Sequence, residues 1–189
     1  MPFELVVIGA SLGGLHALIV VLEGLPAAFP LPLVVVQHRG TDAESGISEV
    51  LQRHTGLMVT EVEDKEAIVG GRVYLAPPDY HLLAEPDRTF ALSTEGPVRY
   101  ARPSIDVLFE SAADVYHEKV IGVLLTGASD DGARGAHRIK QQGGWLIVQD
   151  PATAESRVMP EAGLAATQAD EVVAIDRIAE SLQHLAAVV

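Results

Sequence analysis

Three segments of this chain bring a short apolar run to an end on a side chain suited to nucleophilic catalysis. The run 5–8 leads into Gly9-Ala10-Ser11-Leu12-Gly13, which fits G-x-S-x-G. In that pattern the flanking glycines let a strand turn sharply into a helix and leave the serine hydroxyl exposed near helix N–H groups. An unassisted hydroxyl is a weak nucleophile. His38, just after the β-branched run 33–36 and Gln37, supplies an imidazole that can take the serine proton near neutral pH. The third run, 120–125, closes in Thr126-Gly127-Ala128-Ser129-Asp130-Asp131-Gly132-Ala133, where an aspartate can fix the tautomer and orientation of an imidazole.

Each assignment has a competitor. A glycine-rich turn after a first strand more often cradles phosphate. Here, however, the dinucleotide fingerprint G-x-G-x-x-G would need glycine at Ser11, and Gln37-His38 stands where its acidic ribose partner belongs. Among seven histidines, His81 rivals His38 because it also follows a short strand, 73–76, but Pro77 and Pro78 intervene, so His38 is preferred. The residues alone leave open whether Asp131 orients the imidazole while Asp130 caps the following helix, or the reverse. The order Ser, His, Asp also differs from the Ser, Asp, His order of α/β-hydrolases.

What must position these side chains is a set of alternating strands and helices. Helical patterns at 15–22, 47–53, 133–142, 159–166 and 178–187 alternate with apolar runs at 5–8, 33–36, 120–125, 144–148 and 171–175. Two alternating stretches within 81–93 flank Glu85-Pro86-Asp87-Arg88, good turn chemistry for a hairpin. Apolar residues at 105, 108, 109, 112, 113 and 116 predict a further helix, with Ser104 at its N-cap. The expected fold is α/β: a doubly wound, mainly parallel sheet with helices on both faces and a small antiparallel hairpin insertion. In such sheets ligands sit beyond the carboxyl ends of the strands, where Ser11, His38 and the Asp130-Asp131 pair all fall.

Composition narrows the chemistry further. A formal charge of -13 argues against nucleic acid and anionic membrane partners. With no cysteine there is neither a disulfide framework, nor a thiolate metal site, nor a thiol nucleophile. No basic segment precedes the first apolar run, and no apolar stretch approaches the roughly 20 residues a bilayer needs, so a single cytoplasmic domain over 1–189 without membrane insertion is expected.

Taken in order, G-A-S-L-G-G, V-V-Q-H, R-V-Y-L-A-P-P-D-Y-H, R-P-S-I-D-V-L-F-E-S-A-A and L-T-G-A-S-D-D-G-A, followed by V-Q-D-P and M-P-E-A, resemble the catalytic domain of CheB-type protein-glutamate methylesterases. The likeness runs from about residue 5 to 175. It implies Ser11 as nucleophile, His38 as base and Asp131 as the third member, which makes Asp130 the cap candidate. It further implies hydrolysis of glutamate methyl esters on methylated chemoreceptor helices with release of methanol, glutamine deamidation as an added activity, and no metal or organic cofactor. Backbone N–H groups of Leu12 and Ala128 become oxyanion candidates, and Arg102 and Ser104 become substrate-binding candidates; Arg39 joins them for its own charge, which would attract an acidic receptor helix. The sequence departs from the family pattern at Leu12, Ala128 and Arg39-Gly40, beside the expected pocket. The receiver domain usual in the family is not part of this sequence, so the resemblance leaves two alternatives: constitutive activity, or gating by another protein such as a separate regulatory receiver protein.

Overall fold

The computed structural model describes residues 2–38 and 46–187. Seven strands form one wholly parallel sheet: β1 (Leu5–Ala10), β2 (Leu33–Gln37), β3 (Met58–Glu61), β4 (Arg72–Leu75), β7 (Val120–Leu124), β8 (Trp145–Gln149) and β9 (Glu171–Val173), in the order β3-β4-β2-β1-β7-β8-β9. A separate antiparallel hairpin consists of β5 (His81–Ala84) and β6 (Phe90–Ser93), so the expected insertion is present.

β1, β2 and β7 are buried at every position, as apolar strands covered on both faces must be. Side-chain alternation sorts them into two cores. Val6 and Ile8 face one side, with Leu18 and Leu22 of α1 (Gly14–Glu23), Leu51 of α2 (Ile47–Gln52) and Leu182 of α6 (Ile178–Ala187). Leu5 and Val7 face the other, with Leu108 and Phe109 of α3 (Ile105–Tyr116), Ile139 of α4 (Ala133–Gln141), Met159 of α5 (Val158–Ala166), and the hairpin residues Leu82 and Phe90. Each such fully buried side chain contributes roughly 1.5–3 kcal/mol relative to leaving it in water.

The chain leaves β1 toward β2 on one side and re-enters the sheet at β7 on the other, which makes the carboxyl ends of β1 and β7 the topological switch point. One strand, β3, has no counterpart in the sequence reading. It is a four-residue edge element with only Val59 buried, too short and too polar to show a period. Two strand ends also moved. β1 runs on through Ala10, whereas β9 stops at Val173 before a short 3₁₀ turn beginning at Ile175.

Candidate active site

Three backbone hydrogen bonds stitch the strand ends at the switch point together: Ser11 N–H to Thr126 O (2.9 Å), His38 N–H to Ala10 O (2.9 Å) and Leu125 N–H to Gly9 O (2.9 Å). The turn after β1 passes Gly13 at φ 76, left-handed backbone that favours glycine. Gly14 lies so close to Gln37 that a Cβ there would sit 2.0 Å from its Oε1. That approach lets Gln37 Nε2 donate to Ser11 O (2.9 Å) and His38 O (3.0 Å), pinning both loops from one buried side chain. A Cβ on Gly127 would meet Ser11 Cβ at 2.9 Å, so the loop after β7 rests directly on the serine.

This stitching aligns three side chains. Ser11 Oγ is 3.2 Å from His38 Nδ1, and His38 Nε2 is 2.7 Å from Asp131 Oδ2. A neutral imidazole that gives its Nε2 proton to Asp131 keeps the Nδ1 lone pair for the serine hydroxyl. The ring edges are thus the reverse of those used in the chymotrypsin-type triad. His38 keeps 15% of its side chain exposed, whereas Asp131 has none.

Asp131 is the best-served acceptor in the site. Oδ1 accepts from Ser104 Oγ (2.8 Å) and Asp106 N–H (3.0 Å), and Oδ2 accepts from Ile105 N–H (2.7 Å) as well as His38. It therefore caps α3 from another loop. Burial pushes its carboxyl upward, but the His38 hydrogen bond, the backbone N–H groups of Asp106 and Ile105, and the nearby imidazole charge outweigh burial, and the net shift is down. Asp106, also fully buried, shows the opposite balance. Its Oδ1 accepts from Gly132 N–H (2.9 Å) and Gly135 N–H (2.8 Å), while among the described residues Oδ2 has only an unaligned approach from Arg99 Nε at 3.3 Å. Burial raises it, the Gly135 N–H opposes, and the charge of Asp131 raises it further.

A second Ser–His pair lies behind. His81 is 2% exposed; its Nδ1 accepts from the Ser104 backbone N–H (3.2 Å), and its Nε2 donates to Gly96 O (3.0 Å). The Ser104 hydroxyl points at Asp131 instead, so no base faces it.

Beside His38 opens a cleft of about 370 Å³, lined in part by Pro78, Asp79, Arg99, Tyr100, Arg102 and Ser129. Ser11 itself, with Leu12, Leu15, His16 and Ile19, borders a separate, more open depression. Among the described residues no group of three or more His, Asp or Glu side chains is gathered as a metal site would require, and no helix is long and apolar enough to cross a membrane.

This fold and strand-end arrangement match known proteins closely. Residues 6–182 match the CheB methylesterase family. The chain belongs to the CheB methylesterase family. A crystal structure of the Thermotoga maritima CheB methylesterase catalytic domain superposes with a TM-score of 0.92 at 36% identity, covering 98% of this chain and 100% of that one. A Leptospira interrogans protein provisionally named protein-glutamate methylesterase/protein-glutamine glutaminase is 47% identical over 180 residues, 95% of this chain and 93% of that protein. The Myxococcus xanthus protein-glutamate methylesterase FrzG is 39% identical, and the match covers 97% of this chain but 55% of that longer protein.

Within this CheB-family domain the expected residues divide. Ser11, His38 and Asp131 come together as described. Neither Leu12 N–H nor Ala128 N–H donates to a protein acceptor among the described residues, and both side chains are exposed. Arg102 reaches the cleft wall, where its Nη1 donates to Thr94 O (3.1 Å) and Glu95 O (3.2 Å). Arg39 lies outside the described residues. Two expectations need correction. Ser104 stands at the N-cap of α3 but makes no capping bond and is wholly buried, because its hydroxyl is drawn to the carboxylate of Asp131 rather than to the helix or the cleft. Asp130 does not cap α4, whose N-cap is Gly132; its carboxylate turns outward to Arg99. The sequence reading missed Gln37 and Arg99 as site residues. Gln37 did carry a signal, a polar side chain ending a β-branched run beside His38, whereas nothing local marked Arg99.

Proposed function

We propose that this CheB-family chain hydrolyses glutamate γ-methyl esters on methylated chemoreceptor helices, with Ser11 as nucleophile, His38 as base and Asp131 as its orienting carboxylate. The observation that carries the assignment is the continuous hydrogen-bonded line from Ser11 Oγ through both nitrogens of His38 to a buried, ionised Asp131. His38 Nδ1 takes the Ser11 proton as Oγ attacks the γ-carbonyl. The Leu12 and Ala128 N–H groups, unpartnered among the described residues, receive the oxyanion, a role in which loss of one donor typically costs about a hundredfold or more. Collapse of the adduct sends the His38 proton to the departing methoxide. Methanol leaves, and a γ-glutamyl ester on Ser11 remains. Water, deprotonated by the same imidazole, then restores Ser11 and leaves glutamate. A glutamine side chain follows the same route with ammonia in place of methanol. Arg102 lines the cleft through which the ester-bearing side chain enters.

Methanol release from a methylated receptor signalling fragment tests the reading. Ser11→Ala is expected to lower the rate by at least about a thousandfold, and a serine-directed phosphonate to label Ser11 in the parent protein alone. Undiminished release by Ser11→Ala would overturn the assignment.

A further inference from the structure

The described residues include six non-glycine positions with positive φ, and three of them, Asp79, Arg99 and Tyr100, line the cleft beside His38. Arg99 (φ 48) and Tyr100 (φ 63) are consecutive. They form the tip of a two-residue reverse turn closed by mutual hydrogen bonds between Val98 and Ala101 (3.0 and 2.9 Å). A turn with positive φ at both central residues ordinarily uses Asn-Gly or Gly-Gly, and a bulky residue held there is strained. Such strain persists only where surrounding structure imposes it. Here the restraint is visible: Arg99 pairs with Asp130 and approaches Asp106, the two carboxylates flanking the loop that holds Asp131. Tyr100, by contrast, has no hydrogen bond or ring contact among the described residues that would repay its conformation. It is 104% exposed, the most exposed large apolar side chain of the described protein, beside the histidine that faces Ser11.

We propose that Tyr100 is a specificity-determining residue for the polypeptide substrate, a prong held out by the Arg99 anchor to pack against the receptor helix carrying the ester. A cleft of about 370 Å³ is much larger than one glutamyl methyl ester side chain. Its surplus and its exposed aromatic fit the protein around that side chain. Leu12, which borders a separate depression together with Ser11, is 54% exposed, so a helix laid over the serine has a second apolar side chain to meet. Rigid aromatic anchors of this kind dominate polypeptide recognition because they bury a large area with few rotatable bonds.

The inference rests on the methylesterase reading, so its test separates the two. Methanol release is compared between a methylated receptor signalling fragment and a short unstructured peptide bearing one glutamate γ-methyl ester. Tyr100→Ala is expected to lower kcat/KM for the receptor about tenfold relative to the short peptide, with the loss in KM, the range of an aromatic interface anchor. Tyr100→Phe should restore most of it. Arg99→Gln, which frees the turn, should lower the same ratio in the same direction. A ratio for Tyr100→Ala within about twofold of the parent, well short of any anchor's contribution, would overturn the proposal. So would equal losses on both substrates, since the turn would then support the triad rather than recognise protein. A parent enzyme that releases methanol from neither substrate overturns the esterase reading itself.

Discussion

Two Ser–His pairs converge on Asp131 from opposite sides, and only one is arranged for proton transfer. At the strand ends, Ser11 offers a hydroxyl to a ring nitrogen of His38 whose partner nitrogen is bound to the carboxylate. Behind them, Ser104 offers His81 only a backbone N–H and gives its hydroxyl directly to Asp131. Both nitrogens of His81 are committed to main chain, in a position 2% exposed. The residue types are the same in both places. What differs is whether a proton-accepting nitrogen faces a hydroxyl that a substrate can reach.

The sharpest way to break this comparison is to delete each imidazole. His38→Ala should lower methanol release by at least about 10⁴-fold, the scale seen when a triad base is removed, with the smaller loss of stability of the two, because Asp131 still accepts from Ser104 Oγ, Ile105 N–H and Asp106 N–H when the imidazole is gone. His81→Ala should do the opposite. It abandons a buried carbonyl and a buried N–H and should cost about 2–4 kcal/mol in urea unfolding, with the surviving folded enzyme losing much less activity. Equal activity losses for the two variants at equal folded fractions would erase the distinction.

Asp131→Asn comes next. The substituted amide keeps the volume, but one oxygen that accepts from Ile105 N–H and His38 becomes a donor or forces the others to break. Losing the tautomer control of His38 should cost about 10³- to 10⁴-fold in kcat. Asp130→Asn, whose parent carboxylate is half-exposed and, among the described residues, paired with Arg99 alone, should stay within about tenfold, as rim ion pairs usually do. A reversal of these two would move the triad's third member to Asp130.

These pairs also mark how far the sequence could be read. The sheet was legible because β1, β2 and β7 are buried on both faces and so are written as unbroken apolar runs, and the switch point followed from their alternation with helices. Ser11 and His38 were legible because both sit at strand ends, where the fold gathers ligands. Asp131 was not separable from Asp130 by pattern, since two adjacent acids before a glycine differ only in which way the loop turns them. The structure turns Asp131 toward α3 and Asp130 toward Arg99. Ser104 was misread for a related reason. Serine before an amphipathic helix signals a cap, and no local pattern reveals that a carboxylate from a loop 27 residues away reaches the same helix end first. Arg99 and Tyr100 left no trace because neither type announces positive φ.

The smallest expected effect isolates what the rear pair contributes to the front one. Ser104→Ala removes one donor from Asp131 and nothing from Ser11 or His38, so activity should fall only modestly while stability reports the loss. Because the native carboxyl of Asp131 lies below its ordinary value, its ionised form stabilises the fold. That contribution is fully present above the unfolded aspartate value near 4 and is lost as pH falls through the depressed native one. The Ser104 hydroxyl donates to that charged form, and a hydrogen bond to a charged group contributes about 1.5–3 kcal/mol. At neutral pH, Ser104→Ala should therefore be less stable than the parent by about that amount in urea unfolding. The gap should narrow in acid once Asp131 is protonated in both proteins, since the bond being compared is then one to a neutral carboxyl. A gap that stays constant from neutral pH into acid would mean that Ser104 contributes packing alone, and that Asp131 is held ionised by His38 and the α3 backbone without it.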